Sequence, residues 1–499
     1  MKKDLIVPGG YWPLQDVEEK RRLNRYRINY LLFRNKYEEV WPNWYDRVTK
    51  NWHKEDLRIA LVVANFCKVL TLLCADLLCG EQGDNFGVSC VDEKANAGLQ
   101  DILTNNHFNI TAYEVSGIAA SMRGDGLYKV KVEDGRVKIY PQPATNWFPL
   151  VEQDNVKKVS KHILAWEEEY NGKKYLRKET HEKGLVINEA FVLDDKEGKI
   201  LNNVDLKTLG ITVPEIEETR VDDFLIVHNP NWTIDSELYG VDDYEDVDTL
   251  VYELCIMLSR NSMVLAKHTD PNMYGDPSFL EQNEETGRYE LSIGGTFFPT
   301  PGDANPPGYL TWDGKLDAAE KHIDRLLELL FYVSETSPAA FGLDKHAIAE
   351  SGAALKKRLI RTLAKVNRKK LYADTAIKKA LLIAQMLDVE FCGAKYEPQV
   401  PNIDWQDGLP DDEMEQATIV GRRVEDGTLS QRSAIMRLDK VNEEAALKEL
   451  EIIRQERNAA LPAFARAGEI GFPENPFRQA GAAGQEGTEG AGGAEGGGQ

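Results

Sequence analysis

Cysteine is scarce in this sequence, and its spacing excludes several kinds of site. None of the six cysteines is separated from another by two residues, so the CxxC pairs of zinc ribbons and redox dithiols are absent. Three of the six lie on one apolar stretch. We therefore expect reduced cysteines in the core of a cytoplasmic protein. The six are Cys67, Cys74, Cys79, Cys90, Cys255 and Cys392.

Long apolar runs are missing as well. Only three consecutive apolar residues precede Pro8, which predicts no signal peptide. The most apolar stretch, Leu57 to Leu78, contains polar side chains near one helical face. It predicts a buried helix of a soluble protein that ends at Gly80, and no membrane partner. The interrupting residues are Arg58, Asn65, Lys68 and Asp76.

The motifs of common catalytic and metal sites are not found either. There is no GxxxxGK[ST] phosphate loop and no GxSxG nucleophile turn. His181-Glu182 begins like a zinc-binding HExxH, but Leu185 stands where the second histidine is required, which favours a solvated hairpin. We expect no enzyme activity, no metal and no cofactor. Because carboxylates are numerous, a multidomain cytoplasmic enzyme with an unidentified carboxylate-based site stays open as the alternative.

Positive charge is in deficit. The chain of 499 residues has 60 Lys and Arg against 82 Asp and Glu, a net charge of −22. This balance argues against tight binding to nucleic acid or anionic lipid. One basic run, Lys356 to Lys370, places cations around a helix, which favours a solvated face with salt bridges within the protein over a DNA contact.

Periodicity divides the first half of the chain. Residues 16 to 50 carry a helix, and from Gly124 the apolar period changes to two. Turn pairs at Asp134-Gly135 and Asn171-Gly172, and a third turn at 195–198, predict hairpins in a β-rich region of about 125–230. The stretch "DDFLIVHNPNW" predicts the last strand.

Two long amphipathic helices are predicted next, Asp243 to Ala266 and Leu316 to Ser334. The Pro- and Gly-rich connection, Thr269 to Gly314, is too long for a simple loop and predicts a small domain carried on two helical arms. Its strand candidates are "RYELSI" and "GTFFPT". Residues expected to pack between the two helices are Leu250, Leu254, Leu258, Ile323, Leu326 and Leu330.

A weakly structured, partly apolar stretch begins at Thr336 and precedes a helix predicted over Ser351 to Leu387. "LDVEFCG" is then a strand candidate. Helices follow from Asp404, with Gly427 suited to end one and Ser430 suited to cap the next. The final residues, rich in Gly, Ala and Glu and free of cations beyond residue 478, predict a disordered tail.

Five groups of motifs stand in one order along roughly residues 20 to 460: "YLLFRNKYEEVW" with "NFCKVLTLLCADLLCGE"; "GDGLYKVKVEDGRVKIYPQPATNWFPL"; "VHNPNW" with "LYGVDDYEDVDTLVYELC"; "ESGAALKKRL"; and "LPDDEMEQATIVGRRVEDGTLSQRSAIMRL". Together they resemble the portal proteins of tailed bacteriophages, the head-to-tail connector family. The resemblance implies an α+β, mostly helical, ring-forming fold. Its parts would be a β-rich wing (1–240), a first stem helix (241–268), an α/β clip (269–314), a second stem helix (315–335), a tunnel loop (336–350), a long helix returning to the wing (351–404), a helical crown (405–470) and the tail (471–499).

The resemblance also implies a function. Portal proteins form a ring, usually of twelve subunits, at one capsid vertex through which double-stranded DNA is packaged and ejected. The implied partners are DNA bound without sequence specificity, the terminase large subunit, a head-completion or adaptor protein, and the major capsid and scaffold proteins. The implied location is the virion, after assembly in the host cytoplasm.

Two sets of site residues are carried over from the resemblance. A basic collar would bind and stall a duplex, so small and apolar side chains suit a tunnel loop that acts as a sliding collar or one-way valve. The tunnel-loop residues are Ser337, Pro338, Ala339, Ala340, Phe341, Gly342, Leu343, Asp344, Lys345, His346 and Ile348. The clip residues expected to dock the motor and adaptor are Tyr274, Phe279, Tyr289, Phe297 and Phe298.

Overall fold

The computed structural model describes most of the chain. The described residues are 4–43, 62–80, 86–194, 196–269, 273–275, 281–282, 289–290, 297–299, 308–309, 316–343, 352–406, 413–439, 441 and 443–460. Contacts between Cα atoms divide the chain into a first unit, Met1–Pro410, and a second unit, Asp411–Gln499. Helices and sheets occur together, which confirms the α+β class.

Helices of very different length make up much of both units. A π-helical segment, Tyr113–Ala119, joins the fifth helix to the sixth. In chain order the helices are α1 (Val17–Phe33), α2 (Tyr37–Val40), α3 (Phe66–Cys79), α4 (Glu93–Asn105), α5 (Phe108–Ala112), α6 (Ala120–Arg123), α7 (Asp248–Thr269), α8 (Leu316–Val333), α9 (Gly352–Arg358), α10 (Ile360–Phe391), α11 (Glu413–Glu425), α12 (Gln431–Leu438) and α13 (Glu443–Ala460). None of these helices combines the length and the hydropathy that a bilayer span requires, as far as the structure describes them.

The strands, all in the first unit, are β1 (Val88–Ser89), β2 (Asp125–Glu133), β3 (Arg136–Pro141), β4 (Trp147–Val151), β5 (Val159–Tyr170), β6 (Lys173–Glu182), β7 (Leu185–Leu193), β8 (Ile200–Asn203), β9 (Ile216–Glu218), β10 (Ile226–Pro230), β11 (Met273–Gly275), β12 (Glu281–Gln282), β13 (Tyr289–Glu290), β14 (Phe297–Pro299), β15 (Gly308–Tyr309) and β16 (Asn402–Ile403). One sheet has the order β10-β2-β3, and a second has the order β4-β5-β6-β7-β8 with β9 beside β7. Strands β2 to β10 confirm the predicted β-rich region and its last strand.

The predicted hairpins are confirmed by their turn geometry. Asp134 and Gly135 join β2 to β3 with φ of 51° and 70°, and Asn171 and Gly172 join β5 to β6 with φ of 51° and 73°. Positive φ at both central residues is the type I′ turn that matches the twist of paired strands. The turn between β7 and β8 contains residue 195, which lies outside the described residues, and Gly198 with φ of 64°.

Helix α10 is the central helix of the first unit and packs against the β10-β2-β3 sheet, α3 and α4. With 32 residues it should be about 48 Å long. Its buried face repeats at intervals of three and four, through Ala373, Ile377, Ala380, Ala384 and Leu387. Small side chains on this face let the helix approach the sheet closely.

One of two sequence predictions about this part of the chain is wrong. The strand candidate "LDVEFCG" is the end of α10, because Leu387 continues the buried helical face; a short apolar run does not by itself distinguish strand from helix. The helix predicted over Ser351 to Leu387, by contrast, is confirmed for its described residues as α9 and α10, which meet at the buried Leu359; the Leu359 backbone N–H donates to the Leu355 carbonyl at 3.0 Å and its carbonyl accepts from the Leu363 N–H at 2.9 Å.

The apolar stretch after residue 57 forms α3, which begins only at Phe66. Asn65 caps it by accepting a hydrogen bond from the Lys68 backbone N–H at 3.1 Å, and residues 44–61 lie outside the described part. The predicted end at Gly80 is confirmed. Burial raises the pKa of Cys67 to about 12, as expected for a core thiol. Of the other cysteines, Cys74, Cys79 and Cys255 are buried, whereas Cys90 and Cys392 are half-buried.

The two long helices, α7 and α8, pack against each other. Helix α8 ends within one residue of its predicted end, whereas α7 begins at Asp248, five residues later than predicted. The intervening short strands include parts of both strand candidates: β11 pairs with β14 in parallel and with β15 in antiparallel orientation, and β12 pairs with β13.

The second unit contains α11, α12 and α13, which pack in sequence, α11 on α12 and α12 on α13. Gly427 follows α11 with a φ of 67°, and Ser430 caps α12 by accepting from the Ser433 backbone N–H at 3.1 Å. Both positions confirm the predicted helix stop and helix start. The predicted tail lies outside the described residues.

Candidate functional site

The candidate site is the segment that directly follows α8. We call it the junction and define it as residues 334–343. Helix α8 ends at Val333, and the Thr336 backbone N–H then donates to the Phe331 carbonyl at 3.0 Å. Glu335 adopts a φ of 56° to make this reversal. A non-glycine residue in the left-handed region is uncommon, so the neighbouring contacts must hold the turn in place.

The junction continues as a capped 3₁₀ turn, Pro338–Phe341. The Ser337 side chain accepts from the Ala339 backbone N–H at 3.3 Å, and Gly342 ends the turn with a φ of 68°. The Phe341 ring lies 5.6 Å from the Phe331 ring. This segment is therefore ordered and docked, and the prediction of a weakly structured stretch from Thr336 is wrong for the residues up to 343.

Helix α10 holds the junction through hydrogen bonds along one of its faces. The Thr362 hydroxyl accepts from the Ser337 backbone N–H at 2.8 Å, and Lys365 Nζ donates to the Ser334 carbonyl at 3.0 Å. A cation at this carbonyl also complements the negative end of the α8 dipole. The two α10 residues are three apart, so both project from the same face.

Two exposed arginines of α10, Arg361 and Arg368, pair with Glu335, the residue of positive φ in the turn. Arg368 lies 3.2 Å from the Glu335 carboxylate and Arg361 lies 3.5 Å from it. Both arginine side chains are largely exposed, 42% and 72% respectively, so the pairs are worth little in stability. In these pairs the Glu335 carboxylate neutralises part of the positive charge that the two arginines place beside the junction.

Beneath the junction lies a buried charge cluster, defined as Asp243, Lys365 and Lys369. The Asp243 carboxylate is 3.2 Å from Lys365 Nζ and accepts a shorter bond from Lys369 Nζ. The three side chains are 3%, 7% and 4% exposed. Hydrogen bonds from Ser121 Oγ and from Asn231 Nδ2, the latter at 3.2 Å, complete the shell around the carboxylate.

The cluster keeps its charges because the opposite charges outweigh burial. Burial alone would raise the pKa of Asp243, but Lys365 and Lys369 hold that pKa well below its usual range. Burial would likewise lower the pKa of Lys365, but the Asp243 carboxylate raises it. Both groups are therefore ionised near neutral pH, and the cluster connects the chain before α7, the end of α8 and the first third of α10.

The basic run Lys356 to Lys370 was predicted to form a solvated face with salt bridges within the protein. This prediction is confirmed only in part. Salt bridges within the protein do form, but Lys365 and Lys369 are buried and not part of a solvated face. Sequence reasoning missed Asp243, Ser121 and Asn231 as their partners. Lys365 and Lys369 are four residues apart on an otherwise apolar face of the helix. This spacing could have predicted that both lysines are buried.

The other predicted site residues fall into three groups. Ala339, Ala340 and Phe341 are half-buried, and Leu343 is 60% exposed. Most of the helix-packing residues join one apolar cluster, whereas Leu258 is half-buried. The members of that cluster are Leu250, Leu254, Ile323, Leu326 and Leu330. Asp344, Lys345, His346, Ile348 and Phe279 lie outside the described residues.

Four of the clip residues occupy short strands. Tyr274 is half-buried in β11 and stands opposite Phe298 of β14, with Phe297 one position before it. Tyr289 is in β13 and stands opposite Gln282. The parallel pairing of β11 with β14 thus brings three of the predicted clip positions to neighbouring strands.

His181 does not occupy the solvated setting that the failed zinc motif suggested. Its side chain is 2% exposed, and Nε2 lies 3.2 Å from the Glu179 carboxylate. Although burial opposes ionisation, His181 and Lys129 lower the pKa of Glu179 to about 2. Among the described residues, no group of three or more His, Cys, Asp or Glu side chains could hold a metal ion.

The described residues thus include two long helices packed on each other, short strands in the chain between them and an ordered junction after the second helix. A family model described as phage portal protein, SPP1 Gp6-like, matches residues 16–462, which is most of the chain. The chain belongs to this family of phage portal proteins. A search of curated proteins found no match.

Proposed function

We propose that the chain is the subunit of a ring, usually of twelve copies in this family, at one vertex of the capsid. Double-stranded DNA passes through this ring during packaging and ejection, without sequence specificity. Family membership over residues 16–462 is the observation that carries the proposal. In this assignment α7 and α8 form the stem, the strands between them belong to the clip, and α11 to α13 belong to the crown.

The junction carries the first part of the proposed tunnel loop, residues 336–343, and its contacts support a role for that loop. Residues 337–343 are tied to α10 by the Ser337–Thr362 bond, and the buried charge cluster fixes the same face of α10. This part of the loop is therefore held against α10. A loop anchored at its base and carrying small or apolar side chains can touch a duplex without gripping it, as a sliding collar or one-way valve.

The charge distribution supports passage and not retention of DNA. The net charge of −22 repels a polyanion, and the exposed Arg361 and Arg368 already pair with Glu335. A ring that neutralised many phosphates would hold the duplex strongly at physiological salt. The subunit needs no cofactor for this role.

The remaining contacts of the ring follow from the same proposal. The clip, including Tyr274, Tyr289, Phe297 and Phe298, docks the terminase large subunit and later a head-completion or adaptor protein. The major capsid and scaffold proteins contact the ring during assembly in the host cytoplasm. The mature location is the virion.

The test is the mass of the purified full-length protein by native mass spectrometry, with negative-stain images of the same sample. A ring near twelve times 56.2 kDa with an axial hole is the expected result. A monomer or small oligomer with no hole, even when the scaffold is supplied, would favour the multidomain enzyme instead. In the ring, shortening residues 339–347 should impair DNA packaging or retention, and wild-type behaviour would exclude the collar and valve roles.

A further inference from the structure

The first unit contains a cavity of about 700 Å³ between α10 and the two large sheets. Its size falls within the range of sites that bury a small molecule or a few side chains of a peptide. Its walls come from the start of β5, the segment around β10 and one face of α10. The lining includes neither the junction nor the buried charge cluster, so nothing in the proposed function uses this cavity.

The floor of the cavity is apolar and includes an aromatic ring. Phe224 is packed edge-on against the His162 ring at a centroid distance of 4.9 Å. Pro230, Leu238 and Ala376 complete this apolar surface. Such a floor favours a ligand that brings a large apolar or aromatic group.

Lysines surround the cavity and outnumber the carboxylates that line it. The carboxylates are Asp223 and Glu237, and the lysines are Lys157, Lys158, Lys183 and Lys379. Two of these lysines already have carboxylate partners: Lys379 pairs with Asp223 at 3.0 Å, and Lys158 pairs with Glu152 at 2.9 Å.

The other two lysines are available for an anion. Among the described residues, Lys157 Nζ donates to the Thr233 hydroxyl at 3.2 Å, and no carboxylate lies within salt-bridge distance of Lys157 or Lys183. After these two pairs, the lining has Lys157 and Lys183 against one other carboxylate, Glu237, so the cavity carries a surplus of positive charge in a chain of net charge −22. An anionic group on the ligand would satisfy both.

A buried histidine supplies a directional donor at the same place. His162 lines the cavity, is 4% exposed, and accepts a hydrogen bond at Nδ1 from Trp147 Nε1 at 3.0 Å. Because an indole N–H can only donate, the ring proton of neutral His162 must be on Nε2. Burial lowers the pKa of His162 well below its usual value, so the ring is neutral. Its Nε2–H has no acceptor among the described residues.

We infer that this cavity binds an acidic segment of a partner protein that carries an aromatic side chain. The aromatic ring lies on the floor beside Phe224, and the flanking carboxylates accept from His162 Nε2–H and pair with Lys157 and Lys183. A duplex could reach the lysines at the rim, but its phosphates would leave the apolar floor uncovered. The inference does not depend on the ring or on the passage of DNA.

The probe is a fluorescein-labelled pentapeptide with a central phenylalanine between two acidic residues on each side. Its binding to the full-length protein is measured by fluorescence anisotropy. We expect the double variant Lys157→Gln with Lys183→Gln to weaken binding at least tenfold. The matched control, Lys207→Gln with Lys395→Gln, removes two exposed lysines outside the cavity and should leave affinity unchanged.

Changes in the probe test the two halves of the site separately. Replacing its acidic residues by their amides removes the anions, and replacing phenylalanine by glycine removes the apolar group; each change should weaken binding at least tenfold. Equal binding of the original peptide to the cavity variant and the control variant would overturn the inference. Thermal unfolding of both variants verifies that a loss of binding is not a loss of folding.

Three further outcomes would also overturn the inference and identify another occupant. Competition by a short DNA duplex with the same lysine dependence would assign the cavity to nucleic acid. Displacement by millimolar inorganic phosphate alone would assign it to a free anion. A lower oligomer mass for the cavity variant, with the control unchanged, would assign the cavity to a contact between copies of this chain.

Discussion

Replacing Asp243 by asparagine tests whether the buried charge cluster holds the junction. The Asp243→Asn variant keeps a side chain of the same size but leaves Lys365 and Lys369 buried without a carboxylate. Breaking a buried ion pair by removing one partner costs about 3–5 kcal/mol. Because Lys365 also donates to the Ser334 carbonyl, we expect this cost to appear first as opening of the junction.

Native-state hydrogen exchange by mass spectrometry measures that opening directly. A cost of about 3–5 kcal/mol corresponds to exchange roughly two to three and a half orders of magnitude faster for amides of the junction, including those of Thr336 and Ser337. The matched control is Glu328→Gln on α8, which breaks an exposed pair with Arg325 whose side chains are both 67% exposed. It should change exchange at the junction less than about threefold.

A second variant tests whether the effect of Asp243→Asn comes from the buried lysines left without a carboxylate or from the loss of the Asp243 contacts themselves. Adding Lys369→Met to Asp243→Asn removes one of the two buried lysines that lack a carboxylate, so protection of the junction should recover in part. Less than tenfold faster exchange in Asp243→Asn, or the same acceleration in Glu328→Gln, would refute the idea that the cluster anchors the junction.

Three other predictions follow from the same contacts. Thr362→Val removes the acceptor of the Ser337 N–H and should cost about 1–3 kcal/mol, measured as faster exchange at the junction with α13 unchanged. Ser430→Ala removes the cap that accepts from Ser433 N–H and should destabilise α12 by about 0.5–2 kcal/mol, measured by exchange of α12 amides; an effect at the junction instead would contradict the assignment. Because the folded pKa of Asp243 lies below its unfolded value of about 4, its contribution is complete above that pH and is lost as the pH falls through the lower folded value. Junction protection, corrected for intrinsic exchange, should therefore fall in acid for the wild type and change less in Asp243→Asn.

Local signals predicted much of the fold. Asn171-Gly172 determines its hairpin because both residues tolerate positive φ, and Ser430 begins α12 because its side chain satisfies a free backbone N–H. The apolar spacing of α8 likewise predicted its end within one residue. Each of these depends on neighbours within a few positions along the chain.

Contacts between distant residues account for what sequence reasoning missed. The stretch 387–391 is short enough for a strand, but the buried Leu387 continues the helical face of Ala384, which packs against distant parts of the chain. Lys365 and Lys369 looked solvated because their carboxylate partner is more than 120 residues earlier in the chain. No local pattern connects Ser121, Asp243 and Lys369 before the fold brings them together.

The distance between these partners has a consequence for how the subunit is made. Asp243 is synthesised before the strands between α7 and α8, and neither of its lysine partners exists until synthesis has reached residue 365. Because a buried carboxylate without its lysines is unfavourable, we expect the region around Ser121 and Asn231 to pack fully around Asp243 only once those lysines are present. We therefore expect packing of the first unit to be completed only after the first ten residues of α10 have been translated, because both lysines lie among them.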